Sequence, residues 1–464
     1  MRRLGVIVAL ALGASAYGQA DVRPTTRVQD CTTAGCHAAT TEHTFVHGPT
    51  SIGACSSCHD YVSPEAHTFT LKREGSALCT FCHIGADTPA GPVGHQPFTE
   101  GRCTDCHDPH GSQDRRLLKA DTVADLCVSC HTDAIRGSHV HSPAAQGACL
   151  GCHGAHGATN EGLLSMPPET LCLSCHSDMR DRLEQSVHAH GPATQDCLLC
   201  HDAHASDFMD HLKRAPFELC SSCHEGPAKV AETAAFKHSA VTEGQACVNC
   251  HEPHASNHEG LMRDDPVGAC LACHAKAITE ADGRVIDSVD EIRKPGESLH
   301  GPVAQGACTG CHELHGSQHR FLLVANYTEL FYDSYDEHNY ELCFKCHSNE
   351  LARNQTTTVD TRFRDGDKNL HYVHVNKPEQ GRTCRTCHAT HASKNPKHIA
   401  ETVQFGEWKL PLNYVPTETG GSCNSGCHRP AFYDRVNAAG GIQKKLAAPP
   451  ASPPTPTAPD PTEG

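Results

Sequence analysis

The chain has 464 residues, of which only 38% are hydrophobic and 5% aromatic, so a protein-only core would be marginal for a chain of that length. Its formal charge is −16, or −18 once Arg2 and Arg3 leave with the leader described below. Nucleic acid is a poor partner for such a surface, whereas a basic or neutral protein, or the lumen of a pore, suits it better.

Met1 to Ala20 opens with Arg2 and Arg3, continues as the apolar run Leu4 to Leu12, and ends in small residues at Ser15-Ala16 or Gln19-Ala20. This pattern reads as a secretory signal. No cysteine follows the expected cleavage points, and no later run approaches the length of a membrane span, so the mature chain is expected to be exported and soluble.

The first cysteine pair, Cys31 and Cys36 before His37, has four residues between the cysteines. Thirteen C-x-x-C-H copies follow. They are Cys55, Cys58 and His59; Cys79, Cys82 and His83; Cys103, Cys106 and His107; Cys127, Cys130 and His131; Cys149, Cys152 and His153; Cys172, Cys175 and His176; Cys197, Cys200 and His201. The rest are Cys220, Cys223 and His224; Cys247, Cys250 and His251; Cys270, Cys273 and His274; Cys308, Cys311 and His312; Cys343, Cys346 and His347; Cys384, Cys387 and His388. The last pair, Cys423 and Cys427 before His428, has three residues between. Numbered in chain order, these are sites one to fifteen, and they use all 30 cysteines.

Cysteines at i and i+3 with histidine at i+4 share one face of a helical turn, which can fix a porphyrin by two thioether links and present an imidazole to its iron. A disulfide framework predicts no histidine after every second cysteine. Four-cysteine zinc sites need such pairs two at a time, and fifteen is odd. Fifteen covalently bound haem c groups, one per about 31 residues (464/15), would supply the missing apolar surface. The haems are then the core, and folding should depend on their attachment.

The chain repeats. After the leader (1–20) and a leading haem segment (21–46) come five compact two-haem units (47–274), an insertion (275–299), further two-haem units with aromatic insertions (300–440) and a proline-rich tail (441–464) expected to be disordered. A unit reads histidine, proline two residues on, usually glycine, C-x-x-C-H, x-x-His, then Leu-Cys-x-x-Cys-His. Unit five has Ala240 in place of the proline. Secondary structure is expected to be mostly irregular with short α-helices at and after each motif, little or no β, and the whole an elongated array of two-haem units. Phe321, Tyr327, Phe331, Tyr332, Tyr335, Tyr340 and Phe344, with Phe405, Trp408 and Tyr414, build a small conventional core or cap the last haems, or else form a docking end.

Fifteen histidines belong to the motifs, and 23 of the 38 remain, enough for a second ligand on every iron. The repeat points to His47, His95, His141, His190, His238, His300 and His374 upstream, and His67, His110, His156, His204, His254, His315 and His391 downstream, with His43 for site one. His156 stands within a turn of His153 and can hardly reach the far side of the same porphyrin, so a neighbour's iron is the better target. Eight are surplus, among them His139, His188 and His371. Only Met166, Met179, Met209 and Met262 could serve as thioether ligands after leader removal. Two imidazoles leave no open iron position, which suits electron exchange rather than catalysis. Fourteen gaps between contacting rings would span on the order of 60 Å or more if extended, against about 40 to 45 Å for a bilayer with its headgroups.

The segment Cys106-His107-Asp108-Pro109-His110, its alternation with Leu-Cys-x-x-Cys-His, and the closing stretch from His371 to His428 with Gly420-Gly421-Ser422-Cys423 resemble the doubled C-x-x-C-H multihaem cytochromes. Over nearly all the mature chain the likeness is to the periplasm-side subunits of porin-cytochrome conduits. That resemblance implies an outer-membrane β-barrel porin and other cytochromes as partners, an electron path to extracellular acceptors such as metal oxides, and association with the outer membrane. Two alternatives stand beside it. A multihaem reductase of a small nitrogen or sulfur oxyanion needs one open iron, for which the Cys423 site is the first place to look, and an extracellular cytochrome filament needs self-assembly.

Overall fold

The computed structural model describes residues 31–32, 35–63, 66–280, 283–426 and 428–440; the leader, Cys427 and the proline-rich tail lie outside the described residues. Two compact units divide the chain, one made of Met1–Ser177 and Asp196–Lys213, the other of Asp178–Gln195 and Arg214–Gly464.

Helices are short, none among the described residues exceeding nine. Five upstream histidines are N-caps of one-turn helices, as His47 is for Gly48–Ser51 and His141 for Ser142–Ala145; His190 stands one residue before the Gly191 cap of Pro192–Thr194, and His374 lies within Leu370–Val375. The following proline sits in the first turn, where its missing N–H costs nothing. The turn then reverses at a glycine such as Gly147, whose φ of +72° a side chain would strain. In four units the second motif lies on a longer helix, and two of these have a side-chain cap: Thr122 caps Val123–Val128 through the N–H of Asp125, and Asp265 caps Pro266–His274.

Strands are mostly two-residue pieces, and they join successive repeats. Phe45–Val46 pairs antiparallel with Gly111–Ser112, Val93–Gly94 with Gly157–Ala158, and His139–Val140 with Ala205–Ser206 in the first unit. In the second, His188–Ala189 pairs with Ala255–Ser256, Phe236–Lys237 with Gly316–Ser317, and Ser298–Leu299 with Ala392–Ser393. In each case residues just before or at one repeat's upstream histidine meet residues just after the next repeat's downstream histidine. The downstream partners are small and buried because backbones approach closely there; a Cβ on Gly111 would meet Phe45 O at 2.8 Å.

The first attachment site of each of these repeats is closed by a tight turn. The Oγ of Ser256 donates to Met262 O (2.5 Å) and accepts from the N–H of His258 (3.0 Å); Ser317 and Ser393 do the same with Leu323 and Ile399. In five of the six turns two consecutive residues take left-handed φ, as at Gly162 and Leu163 or Lys397 and His398, and in the turn after the Cys103 site Leu117 alone does.

Only thirteen apolar residues are buried among the described ones, and eight of them are alanines, so little of the chain's stability can come from protein packing. A hydrophobic core cluster of Tyr340, Ala352 and Val375, with Tyr327, Tyr335, Phe344 and Leu351 packed against it, lies within the stretch that the aromatic insertions mark. The insertion after site eleven forms a hairpin, Ile278–Thr279 against Val285–Ile286. The largest sheet among the described residues, Tyr414–Pro416, Gly420–Cys423 and Ala431–Asp434, carries Cys423.

Candidate haem sites

Fourteen motif histidines each face a second imidazole. Site one pairs His37 with His67, at 5.9 Å between ring centroids. The upstream histidine of a unit serves the second site of its own unit: His47 faces His83, His95 faces His131, His141 faces His176, His190 faces His224, His238 faces His274, and His300 faces His347. The downstream histidine serves the first site of the unit before it. His110 faces His59, His156 faces His107, His204 faces His153, His315 faces His251, and His391 faces His312. The last two pairs are His371 with His388 and His374 with His428. Centroid separations run from 5.7 to 6.5 Å. His201 belongs to the first compact unit and His254 to the second.

The His153 and His204 rings point at one another rather than lying face to face. The Nε2 atoms of His153 and His204 are 3.5 Å apart while the centroids are 5.7 Å apart, and the difference is the radius of two imidazoles. Two metal–imidazole bonds in line span about 4 Å. Each pair supplies only two ligands, so the matching metal is one that brings its own equatorial four, as porphyrin iron does. Among the described residues, the motif thiols are half-buried or exposed.

The second ring nitrogen fixes the tautomer. Nδ1 of His107, His153, His201, His251, His312 and His388 donates to the carbonyl of Arg116, Gly162, Asp210, Gly260, Phe321 and Lys397, at 2.7 to 2.9 Å. These are the carbonyls of the tight turns. Upstream histidines do likewise across repeats: His47 to Pro109 O, His95 to Ala155 O, His141 to Ala203 O, His190 to Pro253 O and His238 to Leu314 O. A carbonyl only accepts, so Nδ1 carries the proton and the Nε2 lone pair is left for iron. Burial, then the neighbouring His388 and His374, depresses His371 to about 4; burial, then His312, depresses His391 to about 4, so both rings are neutral at pH 7.

Two expected placements are corrected. His43 does not face His37; its ring closes over Gly111, where a Cβ would meet His43 Cδ2 at 2.8 Å. The Ala38–Thr41 turn that leads to it leaves too little chain to cross a porphyrin, and His67 takes the position instead. His371, read as surplus, stands opposite His388, while His374 stands opposite His428. Both follow from one rule: downstream histidines serve the preceding unit, so the last unit's first site has no following repeat and takes a ligand from the Leu370–Val375 helix. His371-Tyr372-Val373-His374 was the available signal, since i and i+3 on one helix present two imidazoles side by side. Replacing His67 with alanine is expected to turn one haem high-spin and carbon monoxide-reactive, whereas H43A leaves the electron paramagnetic resonance spectrum unchanged; the reverse outcome would restore His43 as the ligand.

Consecutive sites also touch through their cysteines. Cys79 lies in hydrogen-bond contact with Cys103, Cys127 with Cys149 and Cys172 with Cys197; in the second unit, Cys247 with Cys220, Cys270 with Cys308 and Cys343 with Cys384. Weaker electrostatic contact links Cys58 to Cys79, Cys106 to Cys130, Cys152 to Cys172, Cys250 to Cys273, Cys311 to Cys343 and Cys387 to Cys423. Sites two to eight in the first unit, and nine to fifteen in the second, therefore neighbour one another in sequence order.

A repeated array of attachment turns with paired axial imidazoles defines a multihaem c-type cytochrome, a class of electron-transfer proteins. The chain matches the family model described as doubled CXXCH motif over residues 47–88, 95–136, 141–181, 190–229, 238–279 and 300–352, more than half its length, and belongs to that family. Each matched stretch starts at an upstream histidine and ends beyond a second attachment motif, so twelve haem c sites fall within the six. No curated protein matches the chain.

Proposed function

We propose that this cytochrome carries electrons along fifteen bis-histidine haems, sites one, fourteen and fifteen included, between periplasmic cytochromes and the cell exterior, sheathed by an outer-membrane β-barrel porin. The observation that carries the reading is the unbroken succession of sites within each unit, every neighbour in contact with the next.

Bound haem supplies one-electron chemistry at its iron. The chain's own residues hold it in series. The cysteines would anchor it on short turns and the paired imidazoles would hold its iron and keep small molecules off it, while the Nδ1–carbonyl bonds keep the rings from turning. The exposed acidic surface and the export leader favour a periplasmic setting, and no helix among the described residues is long and apolar enough to cross a membrane, so a barrel would have to provide the passage.

A reductase reading needs an open iron. Even His428 of the variant last site faces His374, at 6.5 Å, which favours a non-catalytic role. A filament that simply continued the repeat is disfavoured by both ends of the array. The joining strand is replaced near site one by the His59–Ser63 and Thr68–Leu71 hairpin, and in the last unit by a helix, as in repeat proteins with capping units.

A mass that counts haems, taken with electron paramagnetic resonance of the oxidised protein, tests the carrier. Fifteen low-spin haems are expected, and a high-spin signal that shifts with nitrite or hydroxylamine would replace this reading with the reductase. Vesicles enclosing reduced methyl viologen test the conduit: oxidation by an external ferric chelate should require both the cytochrome and a barrel. Long fibres formed by the purified cytochrome alone would overturn the sheathed arrangement.

A further inference from the structure

Two histidines outside the axial set sit at one repeated position. The turn that follows a first attachment site offers its carbonyl to the motif histidine, and the next residue is Leu117, Leu163, Leu261 or Leu322 in four turns, each with left-handed φ. In two turns it is His211 or His398, with φ of 56° and 55°. The His211 ring stands edge-on against His141, 5.5 Å between centroids and 65° between planes; His398 stands against His300 at 5.5 Å and 76°. The Nδ1 atoms of both are buried without a hydrogen-bond partner. A buried unpaired ring nitrogen is costly, and the same vacancy recurring at equivalent places points to an acceptor that comes with the cofactor.

Each lies where one unit's second site meets the next unit's first. His211 touches His141, which faces the motif histidine of site seven, and follows Asp210, whose carbonyl holds the motif histidine of site eight. His398 has the same relation to sites thirteen and fourteen. Haem carries two carboxylate side chains, so the missing acceptor is at hand on the porphyrins of those junctions.

We propose that His211 and His398 each donate Nδ1–H to a haem carboxylate at the junction, and so set the potentials there apart from the four leucine junctions. An N–H bond to a carboxylate draws negative charge away from the iron, which favours the reduced state and raises the potential. Leucine offers no such bond. The array then contains two steps of higher potential, one in each compact unit.

The inference rests on haem being bound at these sites, and the test keeps the two apart. H211L and H398L place in each turn the residue the other four already carry there, with the same backbone, so folding and haem count should be preserved. Mass and low-spin resonance check that first; loss of a haem would count against the reading of the sites themselves. With haems intact, potentiometric titration should show one haem's share of the Soret change moving to lower potential in each single variant and two shares in the double. The carboxylate bending band in resonance Raman should shift, and L163H should move one share upward. Repeating the H211L titration in an H141M background, where site seven is displaced to higher potential, tells a carboxylate of site seven from one of site eight. Titrations and Raman bands that superimpose on the parent would overturn the proposal.

Discussion

Produced without covalent haem attachment, the chain is expected to remain largely unfolded: far-ultraviolet circular dichroism of a coil, and proteolysis at most positions rather than at a few linkers. Most of the thirteen buried apolar residues are alanines, and most strands are only two residues long. Such packing cannot offset the conformational entropy of ordering a chain of this length. The one place where resistance should survive is the Tyr340, Ala352 and Val375 cluster, which packs protein against protein. A haem-free chain with a cooperative melt and native dichroism would show that the protein holds itself together and that the porphyrins only fill prepared slots.

The second large effect concerns continuity. Replacing Cys149 and Cys152 together by serine removes the thioethers of site six, whose neighbours reach it through Cys127 on one side and Cys172 on the other. Electron passage from site two to site eight of the first unit should fall at least about tenfold, equivalent to ~1.4 kcal/mol on the limiting step. The same change at Cys31 and Cys36, at the beginning of the array, should leave transfer from site two onward almost untouched. Stopped-flow reduction of an acceptor, with haem loss verified by mass, separates a series path from a parallel one, because equal effects at both places would mean that electrons do not follow the order of the sites.

Much of this was legible from spacing alone. C-x-x-C-H writes attachment into a single helical turn, so the sequence announces it without help from the fold, and the six family matches begin at the upstream histidines that the repeat had marked. Ligand pairing was legible only in part. That His156 serves another iron followed from its nearness to His153, but which iron depended on the direction in which repeats interlock, and that is decided by contacts such as Val93–Gly94 with Gly157–Ala158, two residues at a time and without a sequence signal of their own. The misplacement of His43 and the neglect of His371 are the two ends of that single unknown direction. The His211 and His398 positions were hidden for another reason: a histidine where leucine usually stands is conspicuous only once the turn has given both the same place.

The interlocking direction also bears on how the protein is made. Synthesis runs from the amino terminus, and most first sites have their second imidazole on the unit that follows, as His107 depends on His156 and His312 on His391. As the exported chain emerges from its amino terminus, the first site of its newest complete unit would therefore lack its second imidazole until the next unit follows. Gain or loss of length over evolutionary time should respect the same constraint. Cuts made after whole units strand one vacant coordination position at the new end, and a viable shorter descendant must bring a closing histidine with it, as the helix bearing His371 does here.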